Sequence, residues 1–171
     1  DESYSKWISK DALNCVYAGG LIQGRQILEM VELFKEMPAV NLLLMGGDGN
    51  WLKEYPLPNN IKFVGNLPEA LAHQLVEKCD LGLIPYDDTL SYYNLCYPTK
   101  ASFYVTAGTP FLCTCLDELM ETFKGDEFAI FLPFNQWSEA IKKLDKHKIQ
   151  EMKTVLSTER AKYSWESILA P

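Results

Sequence analysis

Apolar residues come in short unbroken runs along this chain, separated by glycine-rich turns and by stretches with helical spacing. Residues 14–18 (Asn14-Cys15-Val16-Tyr17-Ala18) end in Gly19-Gly20, which predicts a buried strand entering a tight turn. Over 25–37, Ile27, Met30, Val31 and Phe34 recur at helical spacing, and Pro38 stops the run. A second strand is predicted at 41–45, closed by Gly46-Gly47-Asp48-Gly49, and a third at 61–64, closed by Gly65-Asn66. Pro68 opens a helix with Leu71, Leu75 and Val76 on its apolar face, proline being tolerated in a first turn. Residues 81–85 form another continuous apolar strand, and a loop over 86–97 follows. Pro98 starts a helix that ends at Gly108. A strand at 110–113, a helix at 117–123, a strand at 128–132 and two amphipathic helices near 136–145 and 149–169 complete the order.

Strands that are apolar throughout are covered on both faces, and the intervening helices supply the cover. With right-handed crossovers, this order predicts an α/β fold: a doubly wound parallel β-sheet of Rossmann-like kind. Residues 1–171 then form a single domain, long enough to bury a core without a metal or disulfide. A hydrophobic share of 47% with a net charge of −7 excludes a disordered chain. No apolar run reaches the roughly 18 residues of a membrane span. The polar, acidic start Asp1-Glu2-Ser3-Tyr4 does not read as a signal peptide. Because the first residue is not Met, the expectation is a fragment of a longer protein.

Sixteen Lys and Arg stand against 23 Asp and Glu, with no basic cluster longer than Lys142-Lys143, which argues against nucleic acid as the partner. The five cysteines (Cys15, Cys79, Cys96, Cys113, Cys115) sit mostly in apolar segments with no zinc or redox spacing. They predict reduced, mostly buried thiols in a cytoplasmic protein.

In an open α/β sheet, ligands bind at the carboxyl ends of the strands near the switch in strand order. The loops that meet there are 19–25, 46–50, 65–68, 86–99 and 113–117. The helix opening at Pro98-Thr99-Lys100 offers free backbone N–H groups and a positive dipole end, which favour an anion. Lys100 adds a formal positive charge where the dipole disfavours one, so an anion beside it is expected. Arg25, just beyond the first glycine loop, could clamp a phosphate with two hydrogen bonds. In isolation each could equally be a solvated surface cation. Two cations aimed at one cleft of an acidic chain predict a phosphorylated ligand. Neither the dinucleotide G-x-G-x-x-G nor the P-loop pattern is present, and Gly46-Gly47-Asp48-Gly49 is a generic turn.

Six segments in order resemble the C-terminal, donor-binding domain of GT-B glycosyltransferases of the family 4 type. They are Val16-Tyr17-Ala18-Gly19-Gly20-Leu21; Asn41-Leu42-Leu43-Leu44-Met45-Gly46-Gly47-Asp48-Gly49; Ile61-Lys62-Phe63-Val64-Gly65-Asn66-Leu67-Pro68; Cys79-Asp80-Leu81-Gly82-Leu83-Ile84-Pro85; Pro98-Thr99-Lys100 with Tyr104 and Ala107-Gly108-Thr109-Pro110; and Tyr163-Ser164-Trp165. The resemblance implies one half of a GT-B fold that binds a nucleotide diphosphate sugar, a UDP-sugar first of all, with no required metal or other cofactor. It implies that a missing N-terminal domain binds the glycan or other acceptor and carries any general base. Carried over by position, Gly19, Gly20 and Arg25 fall at the diphosphate, and the Leu67 backbone meets the base. Lys100 and the amides of Thr99 and Ala101 fall at the phosphate-binding helix start. Arg25 and Lys100 then stabilise the leaving diphosphate, while no catalytic base is assigned within this chain.

One departure stands out. Members commonly carry two glutamates eight apart, and the corresponding positions in this chain are Leu95 and Phe103. Lys100-Ala101-Ser102-Phe103-Tyr104 is similar instead to the helix of the glucosyl- and galactofuranosyl-transferase subgroup of bacterial surface glycans. The ribose contact is then expected from Tyr92, Tyr93 or Asn94. Two alternatives follow from the missing glutamates and the shared architecture: a non-catalytic partner subunit, and a sugar-nucleotide 2-epimerase half-domain. Elsewhere, His73 and His147 read as surface histidines. Asp87-Asp88 reads as a turn pair or a sugar contact, Asp117-Glu118 as a helix start, and the four tryptophans as packing residues.

Overall fold

The computed structural model describes Tyr4 and residues 6–22 and 25–163. Six parallel strands are arranged in the order β3-β2-β1-β4-β5-β6. They are β1 (Leu13–Ala18), β2 (Val40–Met45), β3 (Ile61–Gly65), β4 (Leu81–Ile84), β5 (Phe111–Cys113) and β6 (Ala129–Phe131). The helices are α1 (Ile27–Lys35), α2 (Glu69–Glu77), α3 (Ser91–Asn94), α4 (Thr99–Thr106), α5 (Asp117–Thr122), α6 (Trp137–Lys143) and α7 (Lys146–Glu159). The chain winds outward from β1 to β3, returns through α2 to β4 beside β1, and then winds the other way. This is the doubly wound α/β sheet expected from the apolar runs, with its switch point between β1 and β4.

The burial pattern follows from the composition of the runs. β2 and β4 are buried at every residue, and β1 at all but its first. In α1 the four residues at helical spacing (Ile27, Met30, Val31 and Phe34) are fully buried. The helix is shorter than the 25–37 pattern, because Gln26 adopts a left-handed conformation (φ 55°) that sets its start. In α2, Leu75 and Val76 are buried as expected, but Leu71 is exposed, since the helix meets the sheet only through its second half. The loop expected over 86–97 contains the short helix α3. α7 begins at Lys146, ahead of the expected 149, because Asp145 caps it by accepting a hydrogen bond from the Lys148 amide (2.7 Å). Ser164, Trp165 and the rest of the predicted closing helix lie outside the described residues. Three cysteines are buried and two are partly exposed, and all five are free thiols. Among the described residues, no helix is long and apolar enough to cross a membrane.

At the switch point the sheet does not close. β1 and β4 pair only through Cys15–Leu81 and Val16–Gly82. Beyond those pairs the Tyr104 hydroxyl sits between the strands: it accepts from the Ala18 amide (3.0 Å) and donates to the Leu83 carbonyl (3.0 Å). Its ring lies against Gly82, where a Cβ would stand 2.6 Å from ring carbons. A side chain from α4 thus replaces the missing strand-to-strand bonds, and the two strand ends diverge above it.

Candidate functional site

The divergence opens a cleft of about 730 Å³ at the carboxyl end of the sheet. Gly19 and Gly20 after β1, and Gly46 and Gly47 after β2, supply backbone to it. The two loops touch: the Gly19 amide donates to the Met45 carbonyl (2.9 Å), and the Leu21 amide to the Gly47 carbonyl (2.8 Å). A Cβ on Gly46 would fall 1.9 Å from the Gly19 carbonyl oxygen, so glycine is the residue that fits there.

Eight residues singled out from the sequence line this cleft: Gly19, Gly20, Arg25, Leu67, Tyr92, Tyr93, Thr99 and Lys100. They come from three separate connections, one of them carrying α3, and from the start of α4. Two others do not line it. The Ala101 amide donates to the Pro98 carbonyl (2.9 Å), and Ala101 is fully buried, so this amide is engaged within the first turn of α4. Asn94 turns its side-chain nitrogen to the Asp88 carbonyl (2.9 Å), and its buried Oδ1 has no hydrogen-bond partner, so it braces the loop.

Lys100 is 7% exposed. Its chain lies over Gly19, where a Cβ would come 2.5 Å from Lys100 Cε, so the glycine makes room for the amine. Lys100 Nζ donates to the Tyr86 hydroxyl at 2.7 Å and sits 5.0 Å from the centroid of the Tyr17 ring. Burial, and then repulsion from Arg25, lower its pKa from the ordinary lysine value to about 8. Among the described residues, neither Lys100 nor Arg25 forms an ion pair with a carboxylate. Asp48 and Arg25 both approach Gly20, 3.8 and 3.7 Å from where its Cβ would stand, without pairing to each other. An ammonium has three protons to donate, and Tyr86 engages one of them. A buried cation without a counterion is costly unless an anion joins it, and this one borders a cleft.

Tyr17 and Tyr86, which flank the amine, are not marked by the sequence pattern. Tyr86 follows Pro85 at the end of β4, so the same rule that marked the glycine loops could have marked it. The sequence pattern singles out the adjacent Asp87-Asp88 instead. Those carboxylates organise turns: Asp87 accepts from the Thr89 amide and hydroxyl (3.0 and 2.6 Å), and Asp88 from the Cys115 amide (3.2 Å). Of the two positions lacking the expected glutamates, Phe103 lines the cleft with an aromatic ring and Leu95 is 84% exposed. His73 packs edge-on against Phe103 (5.7 Å between centroids) on the flank of the cleft. Trp51 and Trp137 donate to the backbone carbonyls of Leu21 (2.7 Å) and Leu132 (3.0 Å), which are packing roles.

No protein-family model matches the chain, and no curated protein matches it in sequence. Solved structures do match. Sucrose-phosphate synthase of Thermosynechococcus elongatus superposes with a TM-score of 0.75 at 20% identity, over 94% of this chain and 44% of that one. HepE of Anabaena, solved with UDP-glucose, gives 0.66 at 16% identity, over 88% and 43%. The glycosyltransferase SnogD of Streptomyces nogalater gives 0.63 at 17% identity, over 90% and 40%. At these identities the likeness establishes the fold: the chain has the architecture of one half of a GT-B glycosyltransferase. It spans less than half the length of each of these structures.

Proposed function

We propose that the chain is the donor-binding half of a glycosyltransferase and holds a nucleotide diphosphate sugar, with UDP as the nucleotide, in the cleft between β1 and β4. The observation that carries this reading is Lys100: a buried amine with no carboxylate partner among the described residues, beside Arg25, at the mouth of a cleft floored by glycine backbone. Lys100, Arg25 and the Thr99 end of α4 take the diphosphate, the Leu67 segment meets the base, and Tyr92 and Tyr93 remain for the ribose. HepE, which shares the fold, was solved with UDP-glucose and with UDP, which supports the choice of nucleotide.

During transfer, negative charge develops on the departing diphosphate. Two fixed cations and helix-end amides in a partly dehydrated cleft stabilise that charge without reorganising. The acceptor and any general base belong, in this proposal, to a second lobe. The chain alone therefore binds nucleotide and transfers no sugar.

Calorimetric titration of UDP against the chain, with Lys100→Ala and Arg25→Ala, tests the assignment. Each variant is expected to weaken binding by about tenfold or more, the scale of a charge-assisted hydrogen bond. Unchanged affinity in both would sink it. Failure of the wild-type chain to bind UDP at millimolar concentration would favour the non-catalytic partner reading, which the apolar residues at Leu95 and Phe103 motivate. Epimerised sugar without acceptor product, from a protein carrying both lobes, would select the 2-epimerase.

A further inference from the structure

We propose that Tyr86 is a ligand-binding residue whose hydroxyl donates its proton to a phosphate oxygen, so that Lys100 and Tyr86 act as one donor pair. The proposal rests on the diphosphate reading of the cleft. An ammonium only donates, so in the 2.7 Å contact between Lys100 Nζ and the Tyr86 hydroxyl, the phenol oxygen must accept. The phenol keeps its own proton, and among the described residues nothing accepts it.

The other two tyrosines near Lys100 differ in this respect. Tyr17 donates to the Gly20 carbonyl at 2.9 Å, and Tyr104 to the Leu83 carbonyl at 3.0 Å. Tyr86 alone of the three borders the cleft with an uncommitted donor.

The residue is also held in place. The Thr114 hydroxyl bonds its carbonyl at 2.5 Å, fixing its backbone to the end of β5. Its ring packs against Tyr93 with centroids 4.7 Å apart, and the Arg25 guanidinium lies 5.9 Å from its ring centroid. A donor bonded to one cation, with a second near its ring and, among the described residues, no carboxylate paired to either, suits an anionic oxygen. The lysine bond into the phenol oxygen also polarises the O–H group and makes it a stronger donor. Both groups therefore meet the same phosphate, and loss of either leaves the other less effective.

The test is titration of UDP, inorganic pyrophosphate and uridine into the wild-type chain, Tyr86→Phe, Lys100→Met and the double variant at pH 7.5. Tyr86→Phe keeps the ring and its stacking and removes only the oxygen. Expected are a roughly tenfold rise in Kd for UDP and for pyrophosphate, no change for uridine, and a double variant that loses less than the product of the single losses. UDP affinity within twofold of wild type in Tyr86→Phe overturns the proposal. An equal loss for uridine and UDP also overturns it, because the effect then belongs to packing. If the wild-type chain binds neither UDP nor pyrophosphate, the diphosphate reading itself fails. The wild-type titration thus separates the two failures.

Discussion

Lys100 carries a stability cost that follows from its surroundings. Its folded-state pKa of about 8 lies below the ordinary lysine value of 10.5, chiefly through burial and then through Arg25. Between those two values the unfolded chain binds the proton more tightly than the folded one, so stability rises with pH across that window. Among the described residues, the groups facing the amine are Tyr17 on β1, Tyr86 after β4 and Arg25 before α1; none is a carboxylate that would offset the cost. The burial cost present at pH 7 is about 3 kcal/mol, from the 1.36 kcal/mol carried by each pKa unit. Lys100→Met, which keeps the volume and removes the charge, is therefore expected to be more stable than wild type by about 2 kcal/mol at pH 7. That advantage should shrink between pH 8 and 10.5. Urea unfolding of both proteins at pH 7 and pH 10 checks it, and a constant difference across that range contradicts burial of the charge as the cause. A cleft that sacrifices stability at one residue is expected where a ligand restores it.

At the scale of elements, α4 does two tasks with residues one turn apart. Lys100 reaches forward into the cleft, while Tyr104 reaches into the sheet and keeps β1 and β4 apart at their carboxyl ends. The cleft exists because Tyr104 satisfies backbone groups that a continued β1–β4 ladder would have paired. Tyr104→Phe leaves the Ala18 amide and the Leu83 carbonyl without this partner in a fully buried place, at a cost of about 2–3 kcal/mol. Denaturant unfolding is the measurement, and a loss under about 0.5 kcal/mol would show that water or a strand shift restores the bonds. The element order was legible in the sequence because the strands are mostly apolar runs and every strand exit except that of β5 carries glycine or proline. The wedge was not, since Tyr104 and Ala18 are 86 residues apart and periodicity reports only neighbours.

At the scale of the molecule, the end of the sheet opposite the cleft is fastened by a buried polar cluster. Asp80, just before β4, accepts from the Asn14 amide (2.7 Å), the Asn14 side chain (3.2 Å) and Lys146 Nζ (2.5 Å). Asn41 donates to Asn14 Oδ1 (2.8 Å), so β1, β2, β4 and α7 meet there. α7 is held a second time by Lys153 Nζ, which donates to the Cys79 carbonyl (2.6 Å). Asp80→Ala is expected to cost about 3 kcal/mol, because it orphans a buried amide and removes the acceptor at the centre of the cluster. Lys146→Ala is expected to cost under about 1 kcal/mol, since that lysine is about half exposed. Comparing the two by thermal unfolding tests the division: equal losses would place the energy in the ion pair instead of in the backbone bonds.

The sequence by itself determined the class of fold, the extent of the buried strands and the gathering of Arg25, Lys100 and the glycine loops at one end of the sheet. Those inferences rest on local hydrophobic period and on the rule that ligands meet strand carboxyl ends. Only the tertiary structure decided which groups are free to act there. It engaged the Ala101 amide with Pro98, turned Asn94 toward Asp88, and joined Lys100 to Tyr86 across 14 residues and to the Tyr17 ring across the switch point. The physical reason is that a side chain's hydrogen-bond partner and its exposure depend on what the fold brings beside it. Local patterning places each element, but the protonation of Lys100 and the free proton of Tyr86 are set by neighbours from distant parts of the chain.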